Sequence, residues 1–204
     1  MHIVGGSNNT IGGNGAGNTI AFNRFHGIQV QEVIDPNSDT GNSILSNSIF
    51  SNAGLGIQLG AEAGTGVTPN DGDNPATPQP DPDSDTGANR LQNFPIITSA
   101  TTTILDDATI SGRLNSTPEK TFTIQFFSTP AGNAALFGSD EGVTFLGETQ
   151  VTTNSNGNRS FSFIAARFVV SEGDFITATA TRNSTGDTSE FSEAKRVEPP
   201  VNEQ

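Results

Sequence analysis

The sequence predicts an all-β protein in two parts: a short parallel β-helix of two to three coils, then a small antiparallel β-sandwich. Three observations carry this reading. Short Asn/Gly/Ile phrases recur through the first sixty or so residues. From residue 93 onward, apolar residues alternate with hydroxyl residues. Between them, residues 70–90 read NDGDNPATPQPDPDSDTGANR, a run whose prolines and aspartates suit neither helix nor strand. The resulting division is 1–61 for the coils, 62–92 for an Asp/Pro-rich capping spacer, 93–197 for the sandwich and 198–204 for a tail.

Composition sets the limits. A chain of 204 residues holds one or two domains. Charged residues are only 15%, too few for a charge-driven disordered chain. The polarity comes from Asn, Ser, Thr and Gly, which suit turns and β-surfaces. With 14 Phe and no Trp or Tyr, phenylalanine is the main large core residue. The net charge of −13 argues against a nucleic-acid partner, because phosphate binding needs clustered Lys and Arg. The absence of cysteine removes disulfides, Cys-ligated zinc and thiol catalysis together. No apolar run reaches the roughly 18 residues of a membrane span. Met1-His2-Ile3-Val4 leads straight into a Gly-rich loop with no signal peptide, so the start reads as cut from within a longer protein.

The repeats place the coils. Asn18-Thr19-Ile20 recurs as Asn42-Ser43-Ile44, a shift of 24, and Asn23 recurs as Asn47. Gly27-Ile28-Gln29-Val30 recurs as Gly56-Ile57-Gln58-Leu59, a shift of 29, with the extra residues placed around 51–55. His2-Ile3 aligns with Gln29-Val30, a shift of 27, and Asn9-Thr10-Ile11 is a further copy of the phrase. A period in the twenties with three-residue strands and Asn/Gly corners describes a parallel β-helix; leucine-rich repeats share the period but need several Leu per repeat. Ile11, Ile20, Ile28, Val30, Ile44, Ile49, Ile57 and Leu59 are the expected inward stack. Asparagine at the corners bonds the turn backbone and tolerates left-handed φ/ψ.

Residues 7–23, SNNTIGGNGAGNTIAFN, and 42–59, NSILSNSIFSNAGLGIQL, resemble the last coils of bacterial right-handed parallel β-helix repeat proteins of the pectate-lyase-like superfamily. The Asp-rich spacer and LQNFPIITSA are similar to the segment that follows a final coil, so the resemblance covers about residues 3–100. It implies the fold and not one function, since such folds host lyases, hydrolases, adhesins and tail spikes. Two or three coils expose strand edges, so a continuation before Met1, or self-association through the N-terminal coil, is expected.

The spacer has two readings. Asp81-Pro82-Asp83-Ser84-Asp85-Thr86-Gly87 places Asp at every second position before Gly, which resembles the start of calcium loops. Asp71, Asp73, Asp81, Asp83 and Asp85 are the candidate metal ligands and Ca²⁺ the candidate cofactor, with Asp71 and Asp73 joining if the loop folds back. The EF-hand pattern is incomplete, because its Gly comes one place late, at Gly87, and no Glu stands at the twelfth position. The other reading is an extended Pro-rich linker. A floppy linker would leave the coil near Leu59 uncovered, so residues 62–92 are expected to fold over it.

In the second part Ala108, Ile110, Gly112 and Leu114 share one face, as do Phe122, Ile124 and Phe126. Their alternation with Thr and Gln predicts sheets with one buried and one wet face. Asn154-Ser155-Asn156-Gly157 reads as a hairpin turn and residues 183–187 as a second turn. Roughly seven strands in about 100 residues is the profile of an immunoglobulin-like sandwich. TATRNSTGDTSEFS resembles the last hairpin of bacterial Ig-like surface modules.

Catalytic signals are sparse. The ionisable residues of the first sixty are His2, Arg24, His26, Glu32, Asp35 and Asp39, and no pair recurs at coil spacing. No catalytic residue is nominated. The expected function is a non-catalytic structural or adhesive module, extracellular or on a bacterial cell surface, with a cell-surface polysaccharide as a further partner. The alternatives are the C-terminal part of a polysaccharide lyase or hydrolase, and a carbohydrate-binding module on the Ser/Thr-rich wet faces.

Overall fold

The protein is all-β in a computed structural model that describes residues 1–31, 38–60, 66–71, 83, 85–103, 107–132, 141–166 and 168–200. Its first part consists of short strands: β1 (His2–Val4), β2 (Thr10–Gly12), β3 (Thr19–Ala21), β4 (Ile28–Gln31), β5 (Ser43–Leu45), β6 (Ser48–Phe50) and β7 (Ile57–Leu59). They form three parallel ladders, β1-β4-β7, β2-β5 and β3-β6.

Two of the three sequence alignments hold. His2 pairs with Gln29, and Ile28 with Ile57. The third is displaced by one phrase. Thr10 pairs with Ser43, and Thr19 with Ser48, so the shift of 24 does not occur. Asn23 likewise bonds Asn52 and not Asn47. The lower row carries residues 13–18 between β2 and β3, where the upper row has only Ser46 and Asn47 between β5 and β6. Corners absorb insertions, so the offset changes from ladder to ladder. The phrase Asn-Ser/Thr-Ile stands at several corners, and its likeness alone does not say which copy lies above which.

The expected inward stack is present. Ile11, Ile28, Val30, Ile44, Ile49, Ile57 and Leu59 are buried in one cluster, with Ile20 packed against it. Alternation explains this: the central residues of β2, β3, β5 and β6 point inward, and in β4 and β7 the residues on either side of Gln29 and Gln58 do. The corners work in two steps. Asn8, Phe22, Gly41, Ser46 and Ser51 take positive φ, and each is followed by a corner asparagine. The left-handed residue turns the chain, and the asparagine after it bonds between rows. Asn9, Asn18 and Asn23 each donate Nδ2 to Oδ1 of the asparagine above, at 2.8, 2.9 and 2.7 Å to Asn42, Asn47 and Asn52. Their backbone N–H groups donate to the same oxygens. The upper amides donate back, Asn42 to Gly6 O and Asn47 to Ile11 O.

The second part has β8 (Ile96–Thr102), β9 (Ala108–Asn115), β10 (Thr121–Thr129), β11 (Thr144–Thr152), β12 (Asn158–Ala165), β13 (Phe175–Arg182) and β14 (Lys195–Arg196). They make two antiparallel sheets, β11-β10-β13-β14 and β12-β9-β8. Ile110, Leu114, Phe122, Ile124, Phe126, Phe161 and Ile176, drawn from both sheets, form one core. Phe126 stacks on Phe163 at 4.5 Å between ring centroids. Gly112 is required there, because a Cβ would lie 2.5 Å from Ile96 O and 2.5 Å from Phe161 Cζ.

Two expectations for this part are corrected. Residues 154–157 do not close a hairpin, because β11 pairs with β10 while β12 pairs with β9. The turn crosses from one sheet to the other. The second correction concerns exposure. β12 does present a wet face, with Ser160 and Ser162 exposed. The polar face of β10 and β13 is covered over most of its length: Gln125, Thr177, Thr179 and Thr181 are buried, and Thr121 and Thr123 at one end are half-buried. Gln125 and its neighbours face the ladder region instead of solvent. The residues 183–187 do turn tightly, with Gly186 N donating to Arg182 O at 2.8 Å.

Candidate functional site

The acidic segment and the seam between the two parts are the places where ionisable side chains are brought together. Of the predicted metal ligands, Asp73 and Asp81 lie outside the described residues. Asp71, Asp83 and Asp85 are described. Asp83 is 8% exposed and is a hydrogen-bond hub. Gln92 Nε2 donates to its Oδ2 at 2.9 Å, Ser116 Oγ donates to the same oxygen, and Asn93 N reaches Oδ1 at 3.3 Å. Asp71 is drawn to the same place through Asn93, whose Oδ1 accepts from Asp71 N and whose Nδ2 donates to Asp71 O. That Nδ2 also donates to Asn115 O.

Burial pushes the Asp83 carboxyl up to about 7, against the opposing pull of Ser116 and Asn93; the Asp71 charge raises it further. Burial also raises Asp85, which is half-buried. Calcium takes about six to eight oxygens. The described residues bring two carboxylates together, and those of Asp83 already face donors. No group of three or more His, Cys, Asp or Glu side chains placed for a metal occurs among the described residues. The calcium expectation therefore depends on Asp73 and Asp81.

The second assembly lies where the ladders meet the antiparallel part. The upper strands β5, β6 and β7 would present unpaired N–H groups to whatever covers them, at a cost for each one buried unsatisfied. Every one of the three ladders meets a specific acceptor. At β5, Gly41 N donates to Asp187 Oδ1 at 2.6 Å, and Ile44 N to Thr188 Oγ1 at 2.9 Å. Asn42 N donates to Asn89 Oδ1 at 2.9 Å, and Asn89 Nδ2 returns to Asn42 O at 2.7 Å. Arg90 holds the other Asp187 oxygen at 2.5 Å. At β6, Ile49 and Gly142 exchange backbone bonds of 2.8 and 2.9 Å. At β7, Leu59 N donates to Glu190 Oε1 at 2.9 Å.

Glu141 completes the pattern. Its Oε1 accepts from both Asn52 N at 3.0 Å and Asn52 Nδ2 at 2.9 Å. Those are the two donations that Asn23 makes to Asn52 Oδ1 one row below. The carboxylate thus stands in the place of a next corner asparagine, and its Oε2 takes Ser51 N at 2.7 Å. The apolar centre is closed at the same level by Phe127 and Phe191, buried in the ladder cluster with ring centroids 5.3 Å apart. Of the spacer, Ala88 and Leu91 reach this cluster, and Asn89 supplies the bonds above.

Sequence reasoning nominated none of Asn89, Glu141, Asp187 and Glu190. They stand at turns and strand ends, and nothing in their local pattern marks them as partners of strands about 45 to 145 residues away. Asp39, noted in the sequence as an ionisable residue of the coils, is fully buried and accepts from Gly6 N at 2.7 Å. His26 Nδ1 accepts from Leu55 N at 2.9 Å, so its role is also structural. Arg24 lies over the Phe25 ring, 5.9 Å from its centroid. Glu32 and Asp35 lie outside the described residues. A groove of about 610 Å³ runs between Val67, Pro69, Phe94, Ile96 and Lys195. No described helix is long and apolar enough to cross a membrane. No protein-family model matches the chain, and comparison with curated proteins finds no match.

Proposed function

We propose that this chain is a non-catalytic structural module of an extracellular or bacterial cell-surface repeat protein. In this reading the ladders are terminal coils of a right-handed parallel β-helix, and the antiparallel part is an Ig-like β-sandwich that closes them. The observation that carries the reading is the Glu141 carboxylate in the position of the next ladder asparagine. Glu190, Asp187 and Thr188 support it by doing the same work for the other two ladders. Charged side chains at the seam are used as acceptors for cut strand edges, which is how a solenoid end is made soluble. Buried carboxylates in that role hold one element against another and are out of reach of a polymer.

A turnover screen tests the proposal. Pectin, alginate and glucuronan-type polymers, incubated with the full chain, should yield no new reducing ends or unsaturated products. Turnover of any of them overturns the structural reading in favour of a polysaccharide lyase or hydrolase. Calcium at Asp71, Asp73, Asp81, Asp83 and Asp85 belongs to the same proposal, as a pin for the acidic segment. It is supported by the mutual repulsion of Asp71 and Asp83, which a cation would relieve. A melting temperature that is the same in calcium and in chelator removes it.

A further inference from the structure

The antiparallel part has one closed side and one open side. On the closed side the chain after β13 bridges the two sheets. Lys195 and Arg196 pair with β13, while Glu198 accepts from Thr102 N at 3.0 Å and donates to Ala100 O at 2.9 Å on β8. On the other side the edges of β11 and β12 lie together, and among the described residues neither pairs with a further strand. The β11 edge is blunted. It bulges at Leu146, which has no partner on β10, and Glu148 stands exposed beside the bulge. The β12 edge has neither device. Its ladder with β9 runs from Asn158 opposite Asn115 to Ala165 opposite Ala108 without a register shift, and it carries no Pro, Lys, Asp or Glu.

The start of β12 fixes which of its backbone groups are free. Gly157 O accepts from Ser116 N and so faces β9. Asn158 turns the other way, donating to Asn154 Oδ1 and accepting from Asn154 N, both at 3.0 Å. Alternation along an antiparallel strand then sends N–H and C=O of Ser160, Ser162 and Ile164 outward as well. All three residues are exposed, and no described residue bonds these outward groups. Exposed apolar residues gather at the C-terminal end of the strand. Ile164, Phe168 and Val169 are 66%, 78% and 42% exposed, and Phe168 holds φ 63°, which a bulky side chain rarely adopts. Phe163 and Leu146, at the rim of the core on this side, are only partly buried. Residues 149–171 contain Arg159 and Arg167 and no Asp or Glu, although the chain carries 22 acidic residues and a net charge of −13.

We infer that β12 is a docking edge for a second copy of this chain, which adds its own β12 antiparallel across a two-fold axis at Ser162. That register sets Ser162 against the partner's Ser162 and Ser160 against the partner's Ile164. Each outward N–H then meets an outward C=O, so no free group of the edge is left over. Ile164 packs beside a serine in place of water, and the partly buried Phe163 and Leu146 gain cover. Charge favours a copy of this chain as the occupant. Two chains of −13 repel, and this edge is where the acidic residues that would drive them apart are missing. In the same register the two Arg159 side chains start about 20 Å apart, from six residues at about 3.4 Å each, beyond the roughly 8 Å over which exposed charges act at physiological salt. A two-fold contact is self-complementary and closes on itself, so association stops at the dimer. The inference goes beyond the structural function and does not depend on it.

Sedimentation of the full chain from micromolar to millimolar concentration tests it. The mass should rise toward twice that of one chain. Amide exchange at Ser160, Ser162 and Ile164 should slow by about ten-fold or more on association, since these amides would no longer face solvent. Phe161 and Phe163, whose amides already face β9, should change far less, and that alternation is the signature of a strand added at this edge. Ser162→Pro removes an N–H that points away from β9, so the β9–β12 ladder keeps its bonds. Ser162→Lys leaves the backbone intact and sets two ammonium groups together at the two-fold. Both variants should sediment as monomers at every concentration and lose the protection. A parent chain that stays monomeric overturns the inference. So does a dimer that survives both changes, or one dissociated by Phe22→Asp, which would put the contact on the ladders. Polysaccharide turnover would sink the structural function and leave these results as they are.

Discussion

Replacing Asp83 with asparagine should change how stability depends on pH more than it changes stability itself. Asp83 titrates near 3.8 in the unfolded chain and near 7 in the folded one. A raised folded value means that the folded state binds the proton more tightly. The contribution is complete below the unfolded value and is lost as pH rises through about 7. About three pKa units at about 1.4 kcal/mol each bounds the loss between pH 4 and pH 7.5 at about 4 kcal/mol. The amide of the variant has no titrating proton to lose, so that part of the slope should vanish. It keeps one acceptor oxygen where Gln92, Ser116 and Asn93 now converge on two. That costs on the order of 1–2 kcal/mol at every pH. Asp83→Asn should therefore be less stable than the parent at pH 4.5 and equal or more stable at pH 8. Urea unfolding in chelator at pH 4.5, 6 and 8 measures it. Parallel curves for parent and variant would refute the burial argument. A parent that regains its stability at pH 8 on adding calcium, while the variant does not respond, would place the cation at this carboxylate.

Glu141→Gln keeps one acceptor oxygen but turns an amide donor toward the remaining N–H at Ser51 or Asn52; it should cost about 1.5–3 kcal/mol and speed amide exchange at residues 51 and 52. Asn47→Ala strips partners from Asn18 N, Asn18 Nδ2 and Ile11 O. A loss of about 1–3 kcal/mol in urea unfolding is expected, because Ile11 O is left unsatisfied in a buried place while the exposed Asn18 groups turn to water. Gly112→Ala forces a Cβ against Ile96 O and the Phe161 ring; it should lower stability by about 1–3 kcal/mol, with the shift seen in the melting temperature and in core amide exchange.

Much of the first part was legible because strand geometry repeats at short range. In β4 and β7 the inward positions are one apart from the central Gln29 and Gln58, so Ile28, Val30, Ile57 and Leu59 could be chosen from the sequence. The corner asparagines were legible for the same reason. Their vertical partners were not, since Asn18 finds Asn47 only because the lower row is longer between β2 and β3. In the second part the core face of β10 followed from Phe122, Ile124 and Phe126. Its other face was misread. Thr, Ser and Gln look the same beside water as beside a cut strand edge, because both offer them hydrogen-bond partners. The candidate site was legible only as an acidic segment; the pairing of Asp71 with Asp83 depends on Asn93, which bonds both.

The sequence by itself determined the all-β class, the apolar stack from Ile11 to Leu59, and the corners at which the chain turns. These follow from side-chain alternation and from residue types that tolerate a turn, and both are local properties. The tertiary structure alone decided which asparagine stands above which, and that Asn89, Glu141, Asp187, Thr188 and Glu190 close the ladders. The physical reason is that a strand's unpaired N–H groups need acceptors but do not specify their origin. Any carbonyl, amide or carboxylate that the rest of the chain can bring within hydrogen-bond distance will satisfy them, and only the fold as a whole selects which one does.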